Sequence, residues 1–328
     1  MKKHFYWLVT AVVVFASCTQ SEVLEMAEGR AIGFGSFVNN STRAVTEIDK
    51  SGLTQFNVFG YHGNSWSPDY VNIAVTGSGE SWTPDKTAYW VANNAYEFAA
   101  YSNGNEALSD VEFAPANKTL TIKGYTVADK DLIAALASKT SQTDVSAYGT
   151  VDFNFNHMLS QVKFTFTNTD SRSYTLKISE IKIENAVKTA TGTYTASSID
   201  WDGEATGTYT FADIADIAED GTHAVDLFVI PQRNSNLNVS FKASFYDATA
   251  LAIQTPLKEG TFTANLNYDG AIQDTEKGNW TPGFRYNYTV EVNADDIDDE
   301  GKLTKIDFKV TDVDTWESTG DTSITPQQ

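Results

Sequence analysis

Val162-Lys163-Phe164-Thr165-Phe166-Thr167 is the stretch that decides the fold. Large apolar residues take every second position and polar ones fill the gaps, the pattern of a β-strand with one buried and one wet face. The same period recurs to the C-terminal side. Val239, Phe241, Ala243 and Phe245 alternate with Ser240, Lys242 and Ser244; Tyr286, Tyr288, Val290 and Val292 form another set, and Ile306, Phe308 and Val310 a further one. In Leu176, Ile178, Ile181 and Ile183 the alternation slips by one residue near Ser179 and Glu180, which predicts a β-bulge. Gly, Asn and Asp turns between such strands indicate an all-β protein of antiparallel β-sandwiches. A single segment reads as helical: Asp129 as a cap, with Leu132, Ile133 and Leu136 on one face. The polar stretch 138–150 then reads as a junction, giving an N-terminal domain over 44–150 and a C-terminal domain over 151–328. No repeat of fixed period is found.

A chain of 328 residues exceeds the usual single-domain size, in line with two domains. Hydrophobic residues at 41% and aromatics at 12% supply real cores. Against 23 Lys and Arg stand 43 Asp and Glu, a net charge of −20 that repels phosphate backbones and anionic lipid. Nucleic acid is excluded as a partner, and so is electrostatic docking to a membrane. One cysteine, Cys18, rules out an intramolecular disulfide.

That cysteine has a particular setting. Lys2 and Lys3 open the chain, a mostly apolar run follows from Phe5 to Ala16, and the small residues Ala16 and Ser17 precede Cys18. The run is too short to cross a bilayer core about 30 Å thick, but it suits a signal peptide over 1–17. The segment resembles a lipobox, with Phe15 where Leu is commoner, so Cys18 is the expected site of acylation (palmitate among the chains). At about 0.8 kcal/mol per buried CH₂, two or more chains would tie the precursor durably to the outer membrane.

Catalytic chemistry finds little support. With His4 in the signal, His62, His157 and His223 remain, in different predicted elements and without metal-ligand spacing. His157, between Phe155 and Leu159, reads as a structural histidine. No Gly-rich phosphate loop, nucleophile elbow or carboxylate pair stands out, so neither an enzyme nor a cofactor or metal site is expected. Asp296-Ile297-Asp298-Asp299-Glu300-Gly301 places acids at the first, third and fifth positions of a Ca²⁺ loop. Its twelfth position is Asp307 rather than Glu and strands flank it, which favours a solvated acidic hairpin. Trp66, in Gly63-Asn64-Ser65-Trp66-Ser67-Pro68, is the best candidate for an exposed ligand contact.

Several aromatic clusters together resemble the fimbrillin family of Bacteroidales pilus subunits. They are Trp82-Thr83-Pro84, Tyr89-Trp90, Tyr96-Glu97-Phe98-Ala99-Ala100-Tyr101, the stretch Phe153 to Phe164, Phe228-Val229-Ile230-Pro231-Gln232, Trp280-Thr281-Pro282-Gly283-Phe284-Arg285-Tyr286-Asn287-Tyr288, and Val313-Asp314-Thr315-Trp316. Each is weak alone; their order spans nearly the whole chain. Asn103 stands near where a Pro often follows the aromatic-Ala-Tyr motif. The resemblance implies two tandem transthyretin-like sandwiches. It also implies a lipoprotein precursor cut after an Arg by an Arg-specific protease at the cell surface, then polymerised with other pilin subunits by donor-strand exchange into an adhesive pilus (fimbria).

The residues themselves point to where such a cut would matter. Ala31, Gly33 and Gly35 alternate with Ile32, Phe34 and Ser36, so 30–38 is a candidate strand, and Asn39-Asn40-Ser41-Thr42-Arg43-Ala44 is a small, polar loop open to proteolysis. Cleavage between Arg43 and Ala44 would release the propeptide 18–43, anchor and strand together. Each lost backbone bond is worth about 1 kcal/mol net, and each uncovered side chain such as Ile32 or Phe34 about 1.5–3 kcal/mol. The sum rivals a domain stability of roughly 5–15 kcal/mol. A neighbour's strand would fill the groove, and such a head-to-tail contact grows a filament. The donor would come from the C-terminal end, where the strand with Val310 and the tail after Trp316, whose one apolar plug is Ile324, are the candidates. Stalk or tip are the expected positions. The rival is a monomeric, lipid-anchored module that binds host or dietary glycan through Trp66.

Overall fold

Alternation read along the chain reappears as strands almost throughout. The computed structural model describes residues 31–38, 52–79, 81–248, 255–267, 278–297 and 309–315. In chain order the strands are β1 (Phe34–Val38), β2 (Gln55–His62), β3 (Ser67–Ser78), β4 (Ser81–Pro84), β5 (Tyr96–Asn103), β6 (Val111–Ala114), β7 (Thr119–Thr126), β8 (Leu132–Lys139) and β9 (Val151–His157). They continue with β10 (Ser160–Asn168), β11 (Tyr174–Tyr194), β12 (Ile199–Thr210), β13 (Ile214–Ile217), β14 (Thr222–Val229), β15 (Asn238–Asp247), β16 (Lys258–Asn265), β17 (Phe284–Val292) and β18 (Lys309–Thr315). Among the described residues the helical elements are two short 3₁₀ turns, Val145–Tyr148 and Ala294–Asp296. The fold is all-β.

The first sheet has seven strands in the order β1-β9-β8-β5-β2-β3-β4. Its two ends, β1 and β4, approach one another, so the sheet curls around its own interior. That interior is one of two cores, with Phe34, Phe56, Tyr70, Trp82, Phe98, Phe153 and Phe155 at its centre. The outer face of the same sheet contributes Phe59, Ala99, Tyr101, Leu132 and Ala134 to the second core, which runs through the rest of the molecule. Central strands of the first sheet are therefore covered on both sides, and β5 is buried at every position.

This double burial corrects the predicted helix at 129–136. Leu132–Lys139 is β8, hydrogen-bonded between β5 and β9. Leu132 and Ala134 face one core, Ile133 and Ala135 the other, so the segment shows an unbroken apolar run in place of alternation. Such a run imitates one turn of an apolar helix face.

A four-stranded sheet, β14-β10-β17-β18, packs against a third sheet, β16-β15-β11-β7-β6, to which β12 and β13 add through β11. Val162, Phe164 and Phe166 point inward from β10 and are fully buried. Most pairings are antiparallel; β1 with β9 and β10 with β17 are parallel. The register of β11 against β15 skips between Ser179 and Lys182, and Glu180 takes a positive φ of 54°, a bulge where the apolar alternation slips. At 21 residues β11 is about 70 Å long at the usual rise of a strand. Its first half pairs with β15 and its second half with β7, whose residues precede 150, while β9 follows 150 and lies in the first sheet. Strand pairing thus crosses position 150/151 in both directions.

Asp170 pins the end of β10 to the 294–296 turn. Its fully buried carboxylate accepts hydrogen bonds from the Arg172 side chain, from the Arg172 backbone N–H at 2.9 Å and from the Ala294 N–H at 3.1 Å. The Arg172 guanidinium, first among these donors, holds the Asp170 carboxyl at about 2. A depressed carboxyl stabilises the fold above its unfolded value near pH 4 and loses that contribution as pH falls towards 2. Wild type and Asp170→Asn should therefore differ in unfolding free energy from denaturant titration at pH 6 by on the order of 1 kcal/mol once solvent screening is allowed for, and converge near pH 2.

Candidate functional site

The strongest constellation lies where the N-terminal strand enters the curled sheet. Val151 donates its N–H to the Gly33 carbonyl at 2.9 Å, and from there β1 runs parallel to β9, Phe34 opposite Val151 and Val38 opposite Phe155. On the other side, Ile32 donates its N–H to the Ala88 carbonyl at 2.9 Å, and Ala31 makes an antiparallel bridge with Tyr89. Residues 31–34 therefore sit in a slot with two backbone walls, 88–89 and 150–151.

Ile32 and Phe34 are 2% and 3% exposed. The Phe34 ring meets four others with centroids 5.4–6.4 Å away: Tyr70, Phe153, Phe56 and Phe98. These partners come from β3, β9, β2 and β5, so one side chain from the chain's beginning joins four strands.

The 88–91 wall is held by tyrosines whose bonds the sequence did not foretell. Ala88 donates its N–H to the Tyr70 hydroxyl at 3.3 Å and Val91 to the Tyr96 hydroxyl at 2.6 Å. Burial pushes both phenols up to about 12, so they stay protonated at any physiological pH. The Trp90 ring stacks on Tyr148 with centroids 4.6 Å apart, and the Tyr148 hydroxyl donates to the Asn94 carbonyl at 2.5 Å. None of these hydroxyl bonds uses a β1 residue, although the Tyr70 ring also packs against Phe34. No local pattern marks the roles of Tyr70 and Tyr148, whose bonds reach residues 18 and 54 positions away, and Tyr96 stood out as part of an aromatic cluster without its bond to Val91.

The other sequence-predicted residues are scattered. Cys18, Arg43 and Ala44 lie outside the described residues; Arg43 follows Val38 by five positions in the chain. Trp66 occupies the β2–β3 turn, half-buried, with a positive φ of 52°. It takes no part in the open cleft of about 760 Å³ lined by Trp201, Asn156, Asn279 and Pro282. His62 pairs with Asp69 at 2.8 Å, His157 is buried with its Nδ1 2.8 Å from Asp131, and His223 is exposed on β14. Among the described residues no three His, Cys, Asp or Glu side chains gather as a metal site. In the acidic loop, the Asp296 carboxylate accepts the Asn293 N–H at 2.8 Å and Asp295 pairs with Arg172 at 2.9 Å; 298–301 and Asp307 lie outside the described residues. Of the two C-terminal donor candidates, β18 pairs with β17 and, among the described residues, with no other strand, and Ile324 lies outside the described residues.

A slot that holds one short strand in an all-β fold is a feature to compare with assembling surface proteins. The model of the fimbrillin-like family matches residues 42–313. The chain belongs to the fimbrillin-like family. Members of that family are structural fimbrial subunits of the cell surface, and the family is not one of enzymes. Fimbrium subunit Fim1C of Phocaeicola vulgatus is 27% identical over 185 residues, 47% of this chain and 48% of that protein, so this fimbrillin-like chain spans about half the length of the curated relative it matches. A fimbrial protein from Bacteroides vulgatus shares the fold with a TM-score of 0.56 at 16% identity, over 88% of this chain and 99% of that one. A cell-adhesion candidate from Bacteroides ovatus does so with a TM-score of 0.53 at 15% identity, over 88% and 98%.

Because Phe34 fills the centre of an aromatic core, Phe34→Ala in the intact chain should cost about 3–5 kcal/mol in equilibrium urea unfolding. Tyr89→Ala, which leaves the backbone bridge in place and removes an exposed ring, should cost well under half of that.

Proposed function

We propose that this fimbrillin-like protein is a stalk or tip subunit of an adhesive cell-surface fimbria and polymerises by strand exchange. The observation that carries the proposal is the position of Ile32 and Phe34: both precede Arg43 in the chain, and both are buried in a two-walled slot at the heart of a core. In this scheme the precursor is exported behind the signal peptide 1–17 and held at the outer membrane through acylated Cys18. An Arg-specific protease then cuts between Arg43 and Ala44.

Cleavage makes the strand separable. While 31–38 is covalently joined to Ala44, its local concentration at the slot is very high, and no second chain competes. Once cut, it is a short peptide held by a few backbone bonds and two large side chains, and it leaves at a rate set by that limited set. The slot it vacates keeps its 88–91 wall, so a neighbour's strand meets a largely preformed groove. Subunit joins subunit head-to-tail, and the contact does not close on itself.

The purified full chain, treated with an Arg-specific protease, should lose the residues up to Arg43 and then form SDS-resistant ladders. Arg43→Ala should remain monomeric under the same treatment, because a cut at Arg30 leaves Ile32 and Phe34 attached. Clean cleavage after Arg43 without any ladder would sink the proposal.

A further inference from the structure

The open cleft of about 760 Å³ plays no part in the strand slot, and its lining has a definite chemistry. Trp201 of β12 lies opposite Gly192 of β11. A Cβ placed on Gly192 would meet three neighbouring atoms of the six-membered indole ring at 2.9–3.1 Å. Near-equal distances to three adjacent ring atoms put the glycine under the ring's face, not beside its edge. The indole N–H donates to the Met158 carbonyl at 2.8 Å, which fixes the ring's rotation. One face is thus closed by the sheet, and the half-buried indole turns the other to the cleft.

Around that ring the charged groups come in opposite kinds. The exposed Asp200 carboxylate accepts the Ser198 hydroxyl at 2.7 Å through one of its oxygens. Arg233 is exposed as well, and among the described residues neither Asp200 nor Arg233 makes an ion pair. The walls are tied down. In the β11–β12 turn the Thr195 hydroxyl accepts the Ser198 N–H at 3.0 Å, and the Trp280 backbone N–H donates to the Gln232 carbonyl at 2.8 Å. An anionic ligand would be repelled by Asp200 and a cationic one by Arg233. A ring bearing several hydroxyls satisfies both, because each hydroxyl can donate to the carboxylate or accept from the guanidinium. The C–H face of such a ring suits the negative face of an indole. The volume also falls within the roughly 300–1,000 Å³ of small-molecule sites. We propose that the cleft binds a neutral, pyranose-containing glycan, with one sugar ring stacked on Trp201 and its hydroxyls shared between Asp200 and Arg233. This goes beyond the strand-exchange reading and does not rest on it.

The test reads glycan retention on the full chain carrying Arg43→Ala, so that ladder formation does not enter the result. On an array of neutral and acidic oligosaccharides this chain should retain a subset of the neutral ones. Trp201→Ala, Asp200→Asn and Arg233→Ala should each weaken retention roughly tenfold. Trp201→Phe, which keeps an aromatic face over Gly192, should restore most of it. Asp200 and Arg233 are exposed, so their variants should keep the parent's melting temperature even where Trp201→Ala lowers it. Trp66→Ala, outside the cleft, should leave retention intact. Retention of no glycan, or of acidic ones alone, would overturn the proposal. So would neutral-glycan binding that survives all three substitutions or disappears with Trp66→Ala. Absence of wild-type ladders, with glycan retention intact, would count against strand exchange and leave the cleft assignment standing.

Discussion

Everything in the first half of the molecule depends on where one phenylalanine ring sits. Phe34 lies among rings from β2, β3, β5 and β9, and these strands are brought together only because the seven-stranded sheet curls until its ends, β1 and β4, approach. An open sheet would leave that aromatic face wet. Closing it with a short strand from the extreme N-terminal side concentrates a large share of the burial in very few residues.

That arrangement separates two properties that usually go together. Ile32 and Phe34 contribute burial, but the shape of the site is set elsewhere. Tyr70, Tyr96 and Tyr148 fix 88–94 through hydroxyl–backbone bonds, and β9 is paired with β8 on its far side. Preorganisation of this kind lowers the ordering cost that any replacement strand must meet. A groove that collapsed on losing its strand would instead have to be rebuilt around the newcomer.

How far the sequence foretold this depends on how each strand is covered. Strands with one wet face, such as β10, β15 and β17, announce themselves through alternation, and the bulge of β11 shows as a slip between Ile178 and Ile181. The same logic placed Ile32 and Phe34 on one face of a strand. It failed at Leu132–Leu136, because β8 is dry on both faces and a dry strand carries no period of two. It was also silent on pairing across position 150. Which strands meet is decided by contacts between distant segments, and a polar stretch such as 138–150 looks like a junction whether or not the sheets divide there. The slot's second wall was illegible for the same reason: Ala88 and Tyr89 meet Ile32 and Ala31 across more than fifty residues of intervening chain.

β11 has a mechanical meaning. One unbroken backbone of about 70 Å pairs with β15 in one half and with β7 in the other. Two sandwich-like halves joined by a flexible linker would swing apart under a pull, and slack would be taken up at every joint. Here a load entering through one half passes along the covalent bonds of β11 and its hydrogen-bonded ladders into the other. A fibre made of such units would stretch little before something breaks, behaving as a stiff cable in flowing liquid.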